Sequence, residues 1–278
     1  MKSLLRRFVI WAFANPISRR IINLELYNFF ENVKVKTDKK DISFFGFGDV
    51  PVWRAKTLFT KEPETIDWIN TFPEGSVFWD IGANVGSYSV YAASRDKGLK
   101  VLAFEPSAAN YFLLNRNIFL NRMDDAISAY AVAFNDQDSL GFFHMNSDLP
   151  GGAMNLFSEE AVQETKIGLD MIQMNCKQAM VSYSIDSFVE LYKPPFPNYI
   201  KIDVDNIEDK IVKGGLKTIR NPKVKSVLIE LDDNDVEYGK KVLQMMKKAG
   251  FHNYEKKHSP MFENSKFSSF YNYIFYRK

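Results

Sequence analysis

The sequence predicts an α/β chain built on a doubly wound, mostly parallel sheet that closes with an antiparallel hairpin. Three observations carry that expectation. The apolar run Val77-Phe78-Trp79 leads into Asp80, and Gly82 and Gly86 bracket a tight turn before a helical stretch at residues 87–93. A second apolar run, residues 101–104, ends on Glu105 at the spacing of one βα unit. Further apolar runs at residues 127–134, 198–203 and 224–230 alternate with helical segments, and residues 251–255 and 269–276 finish as paired strands.

The elements follow in order. Residues 1–31 read as helical, broken at Asn15-Pro16. Residues 32–47 alternate as a hairpin: Val33 and Val35, a polar turn at Asp38-Lys39-Lys40-Asp41, then residues 42–47. Lys61-Glu62-Pro63-Glu64-Thr65 opens a helix with proline in its first turn and Ile66, Trp68 and Ile69 on its apolar side. Pro73-Glu74-Gly75 turns the chain into the first core strand. After Glu105, Ser107 is the expected N-cap of a helix with Tyr111, Leu114 and Ile118 on one face and Asn121 as C-cap. Residues 135–180 exceed what a βα connection needs. They hold Leu140-Gly141-Phe142-Phe143, the turn Pro150-Gly151-Gly152 and an amphipathic piece at 159–174, and are expected to cover the acceptor site. A short helix at 207–213 stops at Gly214-Gly215, and a longer one at 236–249 turns Val242, Met245 and Ala249 to the core. The expected division is an N-terminal helical segment, hairpin and entry helix over 1–72, then an α/β catalytic domain over 73–278 with its insertion at 135–180.

The glycine loop narrows the ligand. A dinucleotide fingerprint places glycine at the first, third and sixth loop positions, here Gly82, Asn84 and Ser87, so only the first fits. Asp80 stands where a pyrophosphate would meet the helix N-terminus; its carboxylate repels phosphate and suits an ammonium group. Asn84 substitutes for glycine because asparagine enters the left-handed region more readily than most residues. Glu105 is placed to accept hydrogen bonds from both hydroxyls of an unphosphorylated ribose. An ammonium at one end, a ribose at the other and no phosphate between them describe S-adenosylmethionine.

A family resemblance agrees. Trp79-Asp80-Ile81-Gly82-Ala83-Asn84-Val85-Gly86, Ala103-Phe104-Glu105-Pro106, Asn110 with Leu113-Leu114 and Asn117, and Ile200-Lys201-Ile202-Asp203-Val204 together resemble the FkbM-type S-adenosylmethionine-dependent methyltransferases. Ser184-Ile185-Asp186-Ser187-Phe188 is similar to that family's short Leu-Asp segment before the fourth strand. The resemblance covers residues 57–232. It implies a Rossmann-like class I methyltransferase sheet and a hydroxyl acceptor on a sugar or glycan, with a polyketide-like natural product next. In one departure, Asp205-Asn206 stands where the family has Glu-Gly, which bears on any role of the longer acid or of glycine's backbone freedom.

The expected cofactor contacts are Asp80, Gly82, Ala83, Asn84 and Gly86 around the methionine part, Glu105 on the ribose, and Phe104 and Pro106 beside the adenosine. Asp80, Asp203 and Glu230 end the first, fourth and fifth core strands and should converge at the switch point. For a hydroxyl acceptor Asp203 is the first candidate to take the proton, followed by Asp205 and Glu230, with His144 the histidine worth testing. Asp203 and Asp205 share one side of an extended chain, so a divalent metal between them is an alternative, not the expectation.

Composition excludes other classes. A formal charge of +2 gives no polyelectrolyte signature, so no nucleic-acid partner is expected; a small-molecule or glycan acceptor is. The Asn/Asp-Pro-Pro-aromatic signature of base-nitrogen methylation is missing after strand four, and Cys176 follows asparagine rather than the proline of cytosine-C5 chemistry. A single cysteine excludes an internal disulfide and a cysteine-based zinc site, consistent with a cytoplasmic location. Residues 8–14 are too short an apolar run to span a bilayer, which takes about 20 residues. With Lys2, Arg6 and Arg7 ahead and Arg19-Arg20 behind, this segment reads as a basic amphipathic helix: a domain-packing element, a lid, a homodimer face or a peripheral membrane contact. Two rival functions stay open on sequence alone. A metal-dependent glycosyltransferase using Asp203-x-Asp205 leaves Asp80 and Glu105 without a role, and a non-catalytic scaffold on this fold rests only on Asp205-Asn206.

Overall fold

A computed structural model describes residues 4, 7–8, 10–11, 14–18, 20, 30–167 and 170–277. Much of the helix expected over residues 1–31 lies outside them; within it, the expected break falls at Asn15, which is a bend. The expected hairpin forms from β1 (Val33–Val35) and β2 (Ile42–Phe44). A helix not foreseen from the sequence, α1 (Asp49–Lys56), follows, and then α2 (Pro63–Asn70) with its first-turn proline.

The repeating βα pattern comes next: β3 (Val77–Ile81), α3 (Ser87–Ser94), β4 (Lys100–Phe104), α4 (Ala108–Leu120) and β5 (Ile127–Tyr130). Ser107 caps α4 by accepting from the Asn110 amide at 3.4 Å, and Asn121 is its C-cap, as expected. The single strand expected over 127–134 is two. The chain leaves the main sheet after Tyr130, and β6 (Ala133–Phe134) pairs instead with a strand of the insertion. Strand propensity says nothing about which partner a strand finds, so this division is invisible to periodicity.

The insertion is β-rich. β7 (Ser139–Met145), β8 (Leu156–Ser158) and β11 (Cys176–Tyr183) join β6 in a four-stranded sheet of order β6-β11-β7-β8. The amphipathic piece at 159–174 contains an antiparallel pair, β9 (Glu164–Ile167) with β10 (Asp170–Gln173). The chain then returns through α5 (Ile185–Tyr192), β12 (Tyr199–Ile202), α6 (Glu208–Gly214), α7 (Leu216–Arg220), β13 (Ser226–Asp232), α8 (Val236–Lys248), β14 (Asn253–Lys257) and β15 (Phe270–Tyr276).

The main sheet has seven strands in the order β14-β15-β13-β12-β3-β4-β5. β5, β4, β3, β12 and β13 are parallel, and β15 runs antiparallel to both β13 and β14. The order reverses between β3 and β12, so the C-terminal ends of those strands part to form a crevice. This is the doubly wound class I methyltransferase arrangement. The two faces are covered by separate apolar layers. Trp79, Ile81, Leu102 and Phe104 join one with β7, α5 and α8, and Phe78, Val101 and Ala103 join the other with α2 and α3. Among the described residues no helix is long and apolar enough to cross a membrane.

One charge interrupts the second layer. Lys201 sits in register with Asp80 across β12 and β3, and both are 1% exposed. The Lys201 ammonium donates to the Asp203 carboxylate and lies 5.1 Å from the Tyr88 ring centroid. Burial opposes its charge, but Asp203, Glu62 and Asp80 outweigh that and raise its pKa above the ordinary lysine value. Lys201→Met should therefore cost about 3–5 kcal/mol, because it leaves buried carboxylates facing one another without a counter-charge. Urea unfolding at pH 7 checks the size. The loss should shrink as pH falls, because without Lys201 these carboxylates bind protons more readily and protonation relieves their repulsion; a pH-independent loss would mean that packing alone is involved.

Candidate active site

The site is built on the turn after β3. Gly82 and Gly86 have φ of 84° and 83°, in the left-handed region. A Cβ on Gly82 would lie 1.9 Å from the Asp203 carbonyl oxygen, so this turn approaches the end of β12 too closely for any side chain. The amides of Gly82 and Ala83 both donate to the Phe104 carbonyl at 3.0 Å, which ties the turn to the end of β4. Asn84 occupies the left-handed region at φ 51°, as its residue type allows.

Glu105 organises what lies above the turn. Its Oε2 accepts from the Asn84 amide at 2.8 Å and its Oε1 from the Ser107 amide at 2.8 Å, leaving lone pairs on both oxygens for a ligand. Burial at 4% exposure lifts its pKa to about 7 even though these hydrogen bonds pull it down. The Asn84 side-chain amide donates to the Gly152 carbonyl at 2.8 Å, and Asn110 binds both Gly152 O (3.1 Å) and Gly151 N (2.7 Å). The turn of the insertion is thereby stitched to the glycine loop. α1 joins the same seam, since Arg54 Nε donates to the Gly151 carbonyl at 2.9 Å.

The resulting cavity is lined on its floor by Gly82, Asn84, Glu105, Pro106, Asp203, Asp205 and Glu230. Gly152, Ala153, Met154 and Asn155 of the insertion close one side. An apolar recess lined by Ile81, Phe104, Val132 and Phe134 adjoins it, sharing Gly82, Pro106 and Val204. Phe104 is otherwise a core residue, its ring 5.2 Å from Trp79 and 4.8 Å from Phe134.

The carboxylates are not equivalent. The Asp203 group is buried, yet Lys201 and Lys61 hold its pKa below the ordinary value. Asp205 is raised to about 6 by burial; its Oδ2 accepts from the Asn155 amide at 2.8 Å, so it anchors the insertion loop. Glu230 is raised well above the ordinary value by burial and by the neighbouring Asp203 and Glu62 charges. Asp80 does not line the cavity. It lies beneath the turn, where Ser89 Oγ donates to its Oδ2 at 2.5 Å. Ala83 and Gly86 contribute backbone to the loop rather than cavity surface. His144 is also apart from the cavity: it lies buried in β7 with Nε2 3.0 Å from the Glu160 carbonyl. Among the described residues no group of three or more His, Cys, Asp or Glu side chains is arranged to hold a metal ion.

Sequence reading missed the rim. Trp53 and Arg54 come from α1, Lys61 from the α1–α2 loop, and Phe262, Phe267 and Phe270 from the segment around the start of β15. No local motif marks them, because they meet only when the two ends of the chain fold over the same crevice. The Lys61 ammonium is paired with Glu62 and lies 5.9 Å from the Phe262 ring centroid. Arg54, by contrast, has no hydrogen bond at its two terminal nitrogens among the described residues.

Known proteins resemble this chain in sequence. A methyltransferase from Beauveria bassiana (strain ARSEF 2860), named Methyltransferase 1, is 24% identical over 60% of this chain and 69% of its own. The hexuronic acid methyltransferase AglP of Haloferax volcanii is 22% identical over 65% of this chain and 66% of its own. The 31-O-demethyl-FK506 methyltransferase FkbM of Streptomyces tacrolimicus is 24% identical over 64% and 73%. The family model of the methyltransferase FkbM domain matches residues 80–252, which spans β3 to the end of α8 and includes every floor residue of the cavity. The chain belongs to the FkbM methyltransferase family.

Proposed function

We propose that the protein transfers the methyl group of S-adenosylmethionine to a hydroxyl of a sugar-like small molecule or glycan. The observation that carries the cofactor half is Glu105, a buried carboxylate preset by two backbone amides and lining the cavity. The donor set supports that cofactor. Glu105 would accept from the ribose hydroxyls, the Phe104 and Pro106 recess would take the adenine, and the surplus of acids on the floor favours a sulfonium and an ammonium. Arg54, whose terminal nitrogens make no hydrogen bond among the described residues, is placed for a carboxylate, either the cofactor's or an acidic acceptor's.

The cofactor brings a methyl group that is already activated. The chain must orient the acceptor, an effect that can lower a barrier by about 7–11 kcal/mol, and must accept its proton. Trp53, Phe262, Phe267 and Phe270 line the cavity with aromatic surface against which the C–H groups of a sugar ring would pack. Relatives named for hexuronic acid and for 31-O-demethyl-FK506 support an oxygen-rich acceptor. Asp203 was the first candidate for the proton. Held low by Lys201 it is ionised but the weaker base. Glu230 lines the same cavity floor and, with its proton affinity raised by burial and acidic neighbours, is the stronger base once it has released its own proton, and is assigned that role here.

Calorimetric titration should show micromolar binding of S-adenosylhomocysteine. Glu105→Ala should weaken it at least tenfold, about 1.4 kcal/mol; a folded wild-type protein that binds nothing would refute the cofactor assignment. Binding should also depend on pH. Ribose hydroxyls donate to the ionised form, so affinity is full above the Glu105 pKa of about 7 and falls as pH drops through it. Glu105→Gln should flatten that profile between pH 6 and 8. Glu230→Gln should lower kcat by about 10²–10⁴ while leaving S-adenosylhomocysteine affinity near the wild-type value. If Asp203→Asn alone does so, the proton goes to Asp203.

A further inference from the structure

Ahead of its first acidic residue, Glu25, the chain carries Lys2, Arg6, Arg7, Arg19 and Arg20. Among the described residues of this stretch, Leu4, Phe8, Ile10 and Trp11 are helical, and with Ile17 they are 59–73% exposed. Leu4, Phe8 and Trp11 recur at i, i+4 and i+7, which places them on one helix face. The Asn15 amide donates to the Trp11 carbonyl at 3.1 Å, and Asn15 Oδ1 accepts from Ile17 N (3.0 Å) and Ser18 N (3.2 Å). One helical piece therefore ends and the next begins at Asn15-Pro16. None of these apolar side chains belongs to the three buried clusters, so the catalytic core is complete without them.

Side chains of this size left in water imply an occupant, and charge decides which. A second copy of the same face would set five cations against five. An anionic lipid surface answers both features: an apolar layer beneath negative headgroups, which is what a basic segment carrying Trp and Phe binds. We propose that residues 1–20 lie on the surface of an anionic bilayer. Leu4, Phe8 and Trp11 enter the acyl boundary while the basic side chains reach the headgroups along their aliphatic stems. The apolar run is too short to span a bilayer, so the segment rests in the interface and holds the domain at the membrane.

Co-sedimentation of the full chain with two vesicle preparations tests this. One is phosphatidylcholine alone and the other is equimolar phosphatidylcholine and phosphatidylglycerol. The expected result is at least tenfold stronger binding to the anionic vesicles, weakened by salt. Phe8→Ser with Trp11→Ser, and separately Arg7→Gln with Arg20→Gln, should each reduce it at least tenfold. These exposed positions should leave the melting temperature and S-adenosylhomocysteine affinity unchanged, which separates lost contact from lost folding. Equal binding to both preparations, no binding, or variants that bind like wild type would overturn the proposal. A concentration-dependent dimer that the Phe8/Trp11 variant abolishes, without vesicle binding, would give the face to a second copy instead.

Discussion

The buried ammonium of Lys201 is the constraint around which this structure is arranged. It stands on the strand beside the crevice, among Asp80, Asp203 and Glu62, where a lysine is tolerated only because carboxylates surround it. The dependence runs both ways. Asp203 stays ionised at the cavity floor because of Lys201, and Asp80 is accommodated under the glycine turn because the same charge lies in register across the sheet. With Asp203 held low, its negative charge adds to burial in raising Glu230. A single cation out of sight of the cavity thus divides the acids of the site into one that stays charged and one that seeks a proton.

The cavity itself is a joint between segments that are remote in sequence. Glu105 orders the glycine turn through Asn84, Asn84 and Asn110 hold the insertion at Gly151 and Gly152, and Arg54 brings α1 against Gly151. Asn117 extends the seam by accepting from the Phe45 amide and donating to the Val85 carbonyl, which fastens the N-terminal hairpin to the turn. Short polar side chains meet backbone groups at every junction, so the walls are fixed by hydrogen bonds that packing alone would not specify. The Asp205-Asn206 departure fits the same account. Asn206 adopts φ 66°, the conformation a glycine would take there, and Asp205 spends its carboxylate on the insertion loop. Asn206 thus holds a left-handed backbone without a glycine at that position.

The sequence by itself determined the βα units, the glycine turn, the acid at the end of each of its first two strands, and the family, because each is a local pattern of apolar period and turn chemistry. It also placed Ser107 and Asn121 as caps, since capping depends on a residue and its immediate neighbours. Tertiary structure alone decided the rest. It separated β6 from β5, buried Asp80 below the turn instead of opening it to the cavity, and drew His144 into the insertion sheet. It also gathered Trp53, Arg54, Lys61 and the phenylalanines near β15 into one rim. The physical reason is range. Propensity, periodicity and capping act over a few residues, whereas burial and charge are set by whatever the fold brings alongside. Lys201 shows the limit: as a letter inside an apolar strand it looks misplaced, and only the three carboxylates around it make it necessary.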